Sequence, residues 1–371
     1  EAVAGRLGLK TPTDPDPYVE RLLEGVAFLA ARVHLKQQDQ YPEFTQHLLQ
    51  AIQPHYLAPT PSICIAGFEP QEGEPALEKG MQVPRLTELT AMASEHNNVP
   101  VTFRTGHPVT LWPLKITQVE YLGSRAAVAA FATAADVRAE SGIRIRFAST
   151  GGSSLSNIRP ETLPIYLAGS ENVPGELYRQ FIGHTVAVMA RSPESAAGND
   201  GWSILPLPRQ IGFSDEEALL PAELRTFRGY RLLSEYFACP ERFMFISLPE
   251  IGKAFAACKD ECDVVLLFSR NTPVLDGAIA PENFRLFATP AINLFEKQLG
   301  RVQIDRHTHE FHVVPDRTRP LDFEVFRLTD VKAHSRNNGE GRTVAPLYAF
   351  GALLYDWQDA LFFTTQLRPR R

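Results

Sequence analysis

Cysteine is scarce in this sequence: Cys64, Cys239, Cys258 and Cys262 are the only four in 371 residues. That is too few for a disulfide framework to hold a chain of this length, so free thiols are expected. Positive charge is not in excess either. Thirty-seven Lys and Arg against 43 Asp and Glu leave a net charge of −6, which offers no electrostatic footprint for nucleic acid. Long apolar runs are missing as well. The longest weakly polar stretch, Ala126 to Val137, falls far short of the ~20 residues that span a bilayer. Neither a nucleic-acid partner nor direct membrane insertion is expected.

Motifs that announce an enzyme are also lacking. Gly151-Gly152-Ser153-Ser154 resembles a phosphate loop, but no Gly-Lys-Ser/Thr follows to bring a lysine to the phosphates. There is no G-x-S-x-G elbow and no helical H-E-x-x-H. Cys258 and Cys262 lack a second pair and read as a solvated helix end. The most metal-like run is His307-Thr308-His309-Glu310-Phe311-His312, preceded by Asp305. On a strand His307 and His309 would share one face and His312 the other. A metal-dependent cytoplasmic enzyme built on His307, His309 and His312 is therefore the alternative reading. An exposed strand with ordinary histidines is preferred, because zinc needs three or four convergent ligands. No catalytic residue, cofactor or metal is expected.

What is present is proline and a broad apolar helix. The 29 prolines exceed the ~5% average without an excess of glycine, which points to short elements joined by fixed turns. Apolar residues at 44% and charged residues at 22% describe a globular chain of two or three domains. Asp16-Pro17 is a helix start, an Asp cap before a first-position proline. Tyr18, Leu22, Val26, Leu29 and Val33 follow at helical spacing, with Val19, Leu23, Ala27 and Ala30 as a second row beside them. Together they cover about half the circumference, wider than the ~100° stripe of a surface helix, so the helix must be covered on more than one side. Gln37 to Gln40 breaks the pattern and Pro42 restarts it with Phe44, Leu48, Leu49 and Ile52, giving an αα-hairpin.

Beyond residue 58 the period becomes that of strands. Ile63–Gly67, Val101–Arg104, Val109–Tyr121 (broken at Pro113), Ile143–Phe147, Leu163–Leu167 and Val186–Val188 read as strands, with a helix near Pro174 to Ile182. Ser214-Asp215-Glu216-Glu217 reads as a capped short helix, and Gly229 to Phe237 as a stronger one with Tyr230, Leu233 and Phe237 aligned. Phe243–Leu248 and Val264–Phe268 are apolar on both faces, as central strands are. Phe311–Val314 and Phe323–Val331 read as further strands, and core is the default place for most of the aromatics. The expected fold is α+β: an N-terminal helical hairpin followed by β-rich wing-like domains with short helices. The expected divisions are 1–58, 59–195 and 196–371. The closing Leu361 to Thr365 resembles a strand separated from its partner, and the chain reads as a fragment of a longer protein.

These residues resemble a family. Asp16-Pro17-Tyr18-Val19-Glu20-Arg21-Leu22-Leu23-Glu24-Gly25 and Phe28 to Val33 are similar to the N-terminal signature of TssF, also called ImpG or VasA, of the type VI secretion baseplate. The likeness continues through Pro42-Glu43-Phe44, Pro54-His55-Tyr56-Leu57, Phe103-Arg104-Thr105 and Leu111-Trp112-Pro113. It resumes at Gly229 to Leu233, Glu235-Tyr236-Phe237, Pro240-Glu241, Asn293 to Glu296 and Val314-Pro315-Asp316. Lys79-Gly80-Met81 and Gly106-His107-Pro108 depart from the family pattern. The resemblance implies a structural subunit without catalytic residues, in the cytoplasm, in a baseplate docked at the inner membrane of a Gram-negative bacterium. The implied partners are TssG, TssK, TssE, the VgrG spike and a second TssF copy. Tyr18, Leu22, Val26, Leu29, Phe44 and Leu48 are the residues expected to face partner helices.

Overall fold

One helix, α1 (Pro17–Ile52), occupies the segment where two were expected. The computed structural model describes residues 17–53, 56–94, 97–170, 172–194, 201–221, 227–305, 307–308, 310–334, 341–347 and 361–367. Asp16 lies outside these, but Pro17 is the first helical residue, the position its fixed φ favours. The expected hairpin is corrected to a continuous helix for a simple reason. Lys36, Gln37, Gln38 and Gln40 are all competent helix formers, and a change of polarity does not reverse a chain in the absence of glycine. Pro42 removes one backbone donor, and the helix continues through it.

The chain divides into two compact units, Thr60–Gln298 and a second made of Glu1–Pro59 with Leu299–Arg371. In order, the first unit carries β1 (Ile63–Gly67), β2 (Met81–Val83), β3 (Glu88–Ser94), β4 (Asn97–Thr105), β5 (Val109–Leu111), β6 (Leu114–Leu122), α2 (Arg125–Ala135) and β7 (Ser141–Ser149). It continues with β8 (Thr162–Leu167), α3 (Val173–Tyr178), β9 (Thr185–Arg191), β10 (Ser203–Leu205), β11 (Arg209–Gln210), α4 (Arg228–Ala238), β12 (Phe245–Pro249), α5 (Ile251–Phe255), β13 (Glu261–Phe268), β14 (Phe284–Leu286) and β15 (Ala288–Ile292). The other unit holds α1 and a small sheet of β16 (Lys332–His334), β17 (Gly341–Pro346) and β18 (Leu361–Phe363), with β17 and β18 parallel.

The α+β class is as expected, and most strands fall where alternation placed them. The expected division at 195/196 is not a structural boundary. Strands from both sides of it interleave in one antiparallel sheet of order β10-β9-β13-β7-β6, and again in β11-β12-β8-β14. A third sheet, β1-β15-β4-β3, joins the two ends of the same unit. The main core draws Ile143, Ile145, Phe147, Val264 and Leu266 from the five-stranded sheet and Ile165, Ile246 and Leu248 from the four-stranded one. On the other face of the five-stranded sheet, Val265, Leu267 and Met189 pack with Val128 of α2. That helix is started by Ser124, whose Oγ accepts the Ala127 N–H at 3.2 Å. Arg146, on the outward side of β7, is tied to Asp263 of β13 by two hydrogen bonds of 2.6 and 2.9 Å.

Three further expectations are corrected. Phe311–Val314 and Phe323–Val331 are extended without being strands: a strand needs a continuous ladder to a neighbour, and the second segment reaches one only at its end, where the Val331 carbonyl accepts the Val344 N–H at 2.8 Å. Ser214–Glu217 is a turn, not a helix. The Glu217 carboxylate accepts the N–H groups of Gly212 (2.8 Å) and Ser214 (3.1 Å), so it ties up donors ahead of itself and closes the chain into a loop.

Candidate functional site

Two helices carry apolar residues outward. On α1, all six residues expected at a partner interface (Tyr18, Leu22, Val26, Leu29, Phe44 and Leu48) are exposed, and Leu23, Phe28, Val33, Leu35 and Ile52 join them. Val26, Leu29, Ala30 and Val33 line a shallow apolar depression, with His34 and Gln37 at its end. Gly25 has open space around it, which would admit the backbone of a crossing helix. Burying a side chain of this kind is worth roughly 1.5–3 kcal/mol, and eleven of them on this helix are left exposed.

Helix α4 is arranged the opposite way from an ordinary surface helix. Its inner stripe is charged: Arg231 and Glu235 are buried there, and Arg242, just beyond the helix, is buried with them. Its outer stripe is Phe227, Tyr230, Leu233, Tyr236 and Phe237. The aligned aromatic row read from the sequence is real, but it faces solvent and not the core. The missed signal was the charged pair at i and i+4, Arg231 and Glu235, on the opposite side of the same helix.

The buried charges are held by the loop they cover. Glu235 Oε1 accepts the backbone N–H of Leu219 (3.1 Å) and of Leu220 (3.0 Å). The other oxygen of Glu235 contacts Arg242, whose Nη2 donates to the carbonyls of Gly212 (2.8 Å) and Glu217 (3.0 Å). Arg231 Nη2 donates to Asp215 at 2.8 Å. Burial, with Arg231 nearby, pulls the Arg242 guanidinium down to about 10, which leaves it charged at neutral pH. His107 is buried beside this cluster, its ring edge-on to Phe245. Burial pushes its imidazole down to about 4; Glu217 opposes that shift, and Arg242 and Arg85 add to it. These groups are balanced in charge and devoted to backbone partners, which is the chemistry of a structural clamp.

The histidine alternative finds no support in placement. His309 lies outside the described residues, and His307 and His312 are exposed on a segment that is not a strand. Asp305 accepts the backbone N–H groups of His307 (2.8 Å) and Thr308 (2.7 Å), so it serves a turn. Among the described residues no group of three His, Cys, Asp or Glu is positioned to hold a metal ion. No helix among them is long and apolar enough to cross a membrane.

Comparison with known proteins places these surfaces in context. The family described as "Type VI secretion system, TssF" matches residues 1–371. The type VI secretion system component TssF1 of Pseudomonas aeruginosa is 41% identical over 373 residues, covering 99% of this chain and 59% of its own length. A chain from the cryo-electron microscopy structure of the type VI secretion system TssK-TssF-TssG baseplate subcomplex superposes with a TM-score of 0.70 at 26% identity, over 88% of this chain and 58% of that one. The present chain thus spans just under three-fifths of the length of the relatives it matches.

Proposed function

The chain belongs to the TssF family of the type VI secretion system, and from that premise we propose that it is a structural subunit of the secretion baseplate, not an enzyme, and that it assembles with TssG and TssK through α1. The observation that carries the proposal is the exposure of both apolar rows of α1, with Tyr18, Leu22, Val26, Leu29, Phe44 and Leu48 all facing outward. A helix of 36 residues with more than one greasy side satisfies itself only inside a bundle, and partner helices supply the missing members. The solved TssK-TssF-TssG subcomplex supports the choice of partners. Contacts with TssE, the VgrG spike and a second copy, and a cytoplasmic location in a baseplate docked at the inner membrane, belong to the same proposal.

Co-expression with the TssG and TssK of the same organism tests it. Leu22→Asp and Val26→Asp each place a charge in the apolar row, and loss of TssG from the purified complex is expected. Circular dichroism establishes that the variant is folded. Unchanged co-purification of TssG with a folded variant rejects α1 as the assembly surface.

A further inference from the structure

We propose that Cys258 and Cys262 form a modification site in the protein's own core, a buried dithiol that hydrogen peroxide closes to an intramolecular disulfide. Their spacing predicts a solvated helix end, and the structure corrects that expectation. Both side chains are buried members of the main core, whereas Cys64 is exposed. The local fold accounts for the difference. The Cys258 N–H donates to the Phe255 carbonyl at 3.0 Å, closing the end of α5, and the chain reverses through Lys259 and Asp260 before β13 begins. That turn is pinned at two points: the Lys259 carbonyl accepts the Leu155 N–H at 2.7 Å, and the Asp260 carbonyl accepts the Ser149 N–H at 3.1 Å. The two cysteines are thereby held inward on either side of one turn. The Cys262 thiol donates to the sulfur of Cys258, and Cys258 Sγ donates in turn to the Ala254 carbonyl at 3.4 Å.

A lone buried cysteine is ordinary core filling. Two joined at sulfur are a dithiol with its partner already in place, and the hydrogen bond between them divides the work. It holds the Cys258 thiol below its ordinary value, against burial and the Asp263 charge, and it pushes Cys262 up, with burial adding to that shift. Asp263 itself is engaged by Arg146. Cys258 is therefore the attacking sulfur and Cys262 the resolving one. The Cys258 thiolate attacks one peroxide oxygen: an S–O bond forms, the O–O bond breaks, and the departing hydroxide takes up the proton that Cys258 lost, giving water. The Cys262 sulfur then attacks the sulfenic sulfur. The S–S bond forms, the S–O bond breaks, and the hydroxyl leaves with the Cys262 proton as a second water. Peroxide accepts both electrons. The product ties the end of α5 covalently to the start of β13. Ala256, Ala257, Lys259 and Asp260 are exposed around the pair, so opening of this single turn admits so small an oxidant.

Peptide mapping after treatment of the reduced, native protein with hydrogen peroxide tests the site. Trypsin cuts after Lys253, Lys259 and Arg270, so a Cys258–Cys262 bridge leaves peptides 254–259 and 260–270 joined until a reductant separates them. The joined pair is expected, with Cys64 still alkylatable, and circular dichroism before and after treatment establishes that the fold is retained. Cys64→Ser with Cys239→Ser should leave the bridge unchanged. Cys262→Ala should stop the reaction at the first step, with a dimedone adduct on Cys258, and Cys258→Ala should give no adduct on Cys262. A buried pair that stays reduced while Cys64 oxidises overturns the proposal. So does a bridge that forms only after denaturation, and so does a Cys262→Ala protein that retains its fold and yields no adduct at Cys258.

Discussion

Glu235 and Arg242 form an ion pair in which both side chains are wholly buried. Such a pair does not stabilise simply by attraction, because each charge has given up its water. Its value lies in the remaining bonds, two backbone donors on Glu235 and two carbonyls on Arg242, which fix the 212–220 loop against α4. Removing one member is therefore predicted to cost far more than the pair is worth. Glu235→Leu should destabilise by about 3–5 kcal/mol, since it leaves a buried guanidinium without its counter-charge and the Leu219 and Leu220 N–H groups without an acceptor. Glu235→Gln keeps an acceptor and should cost distinctly less. Urea denaturation of the two variants measures the difference.

His107 predicts a pH dependence. Its folded value, about 4, lies below the unfolded value of 6.5, so below pH 6.5 the unfolded chain binds a proton that the folded one refuses. Stability from this residue is thus complete above pH 6.5 and falls as the pH drops toward 4, by about 3 kcal/mol at the end of the range. His107→Gln should flatten that slope relative to the parent protein. Denaturation midpoints at pH 7 and pH 4.5 would reveal it, and equal slopes would contradict it.

Gly252 offers a steric prediction. A Cβ there would lie 2.7 Å from the Pro160 carbonyl oxygen and 3.0 Å from the Arg159 backbone. Both obstacles are main chain, so neither can swing aside. Gly252→Ala should cost about 1–3 kcal/mol despite its better helix propensity, seen as a lower thermal midpoint.

The exposure of α1 predicts an asymmetry. Leu22→Asp should leave the unfolding free energy within about 0.5 kcal/mol of the parent, as surface changes do, which urea denaturation measures. Ile145→Asp, at a wholly buried strand position, should prevent folding of its unit. If Leu22→Asp unfolds the protein, the helix is serving this chain's own core.

Much of this architecture was legible because two periodicities differ. Ile143, Ile145 and Phe147 alternate with Arg144 and Arg146, and the alternation survives as a strand with one face in the main core and Arg146 bound to the buried Asp263 on the other. The apolar rows of α1 were legible for the same reason. The turn expected at Gln37–Gln40 was not there, because polarity was taken for a break where no residue required one. Partnering was illegible: Phe311–Val314 has the composition of a strand but no strand partner among the described residues, and such partners come from distant parts of the chain. The direction of α4 was the most informative miss. Its aromatics were assigned inward by default, whereas Arg231 and Glu235 take the interior because a loop 15 to 16 residues earlier needs their polar atoms.

The central position of β13 bears on how the molecule comes into being. It lies between β9 and β7, both of which leave the ribosome before it. Until residue 268 has been translated, each of those earlier strands shows an open edge and an apolar flank. The nascent polypeptide therefore passes through an interval in which it is vulnerable to sticking to its neighbours, and the last strand delivered is the one that ends that exposure.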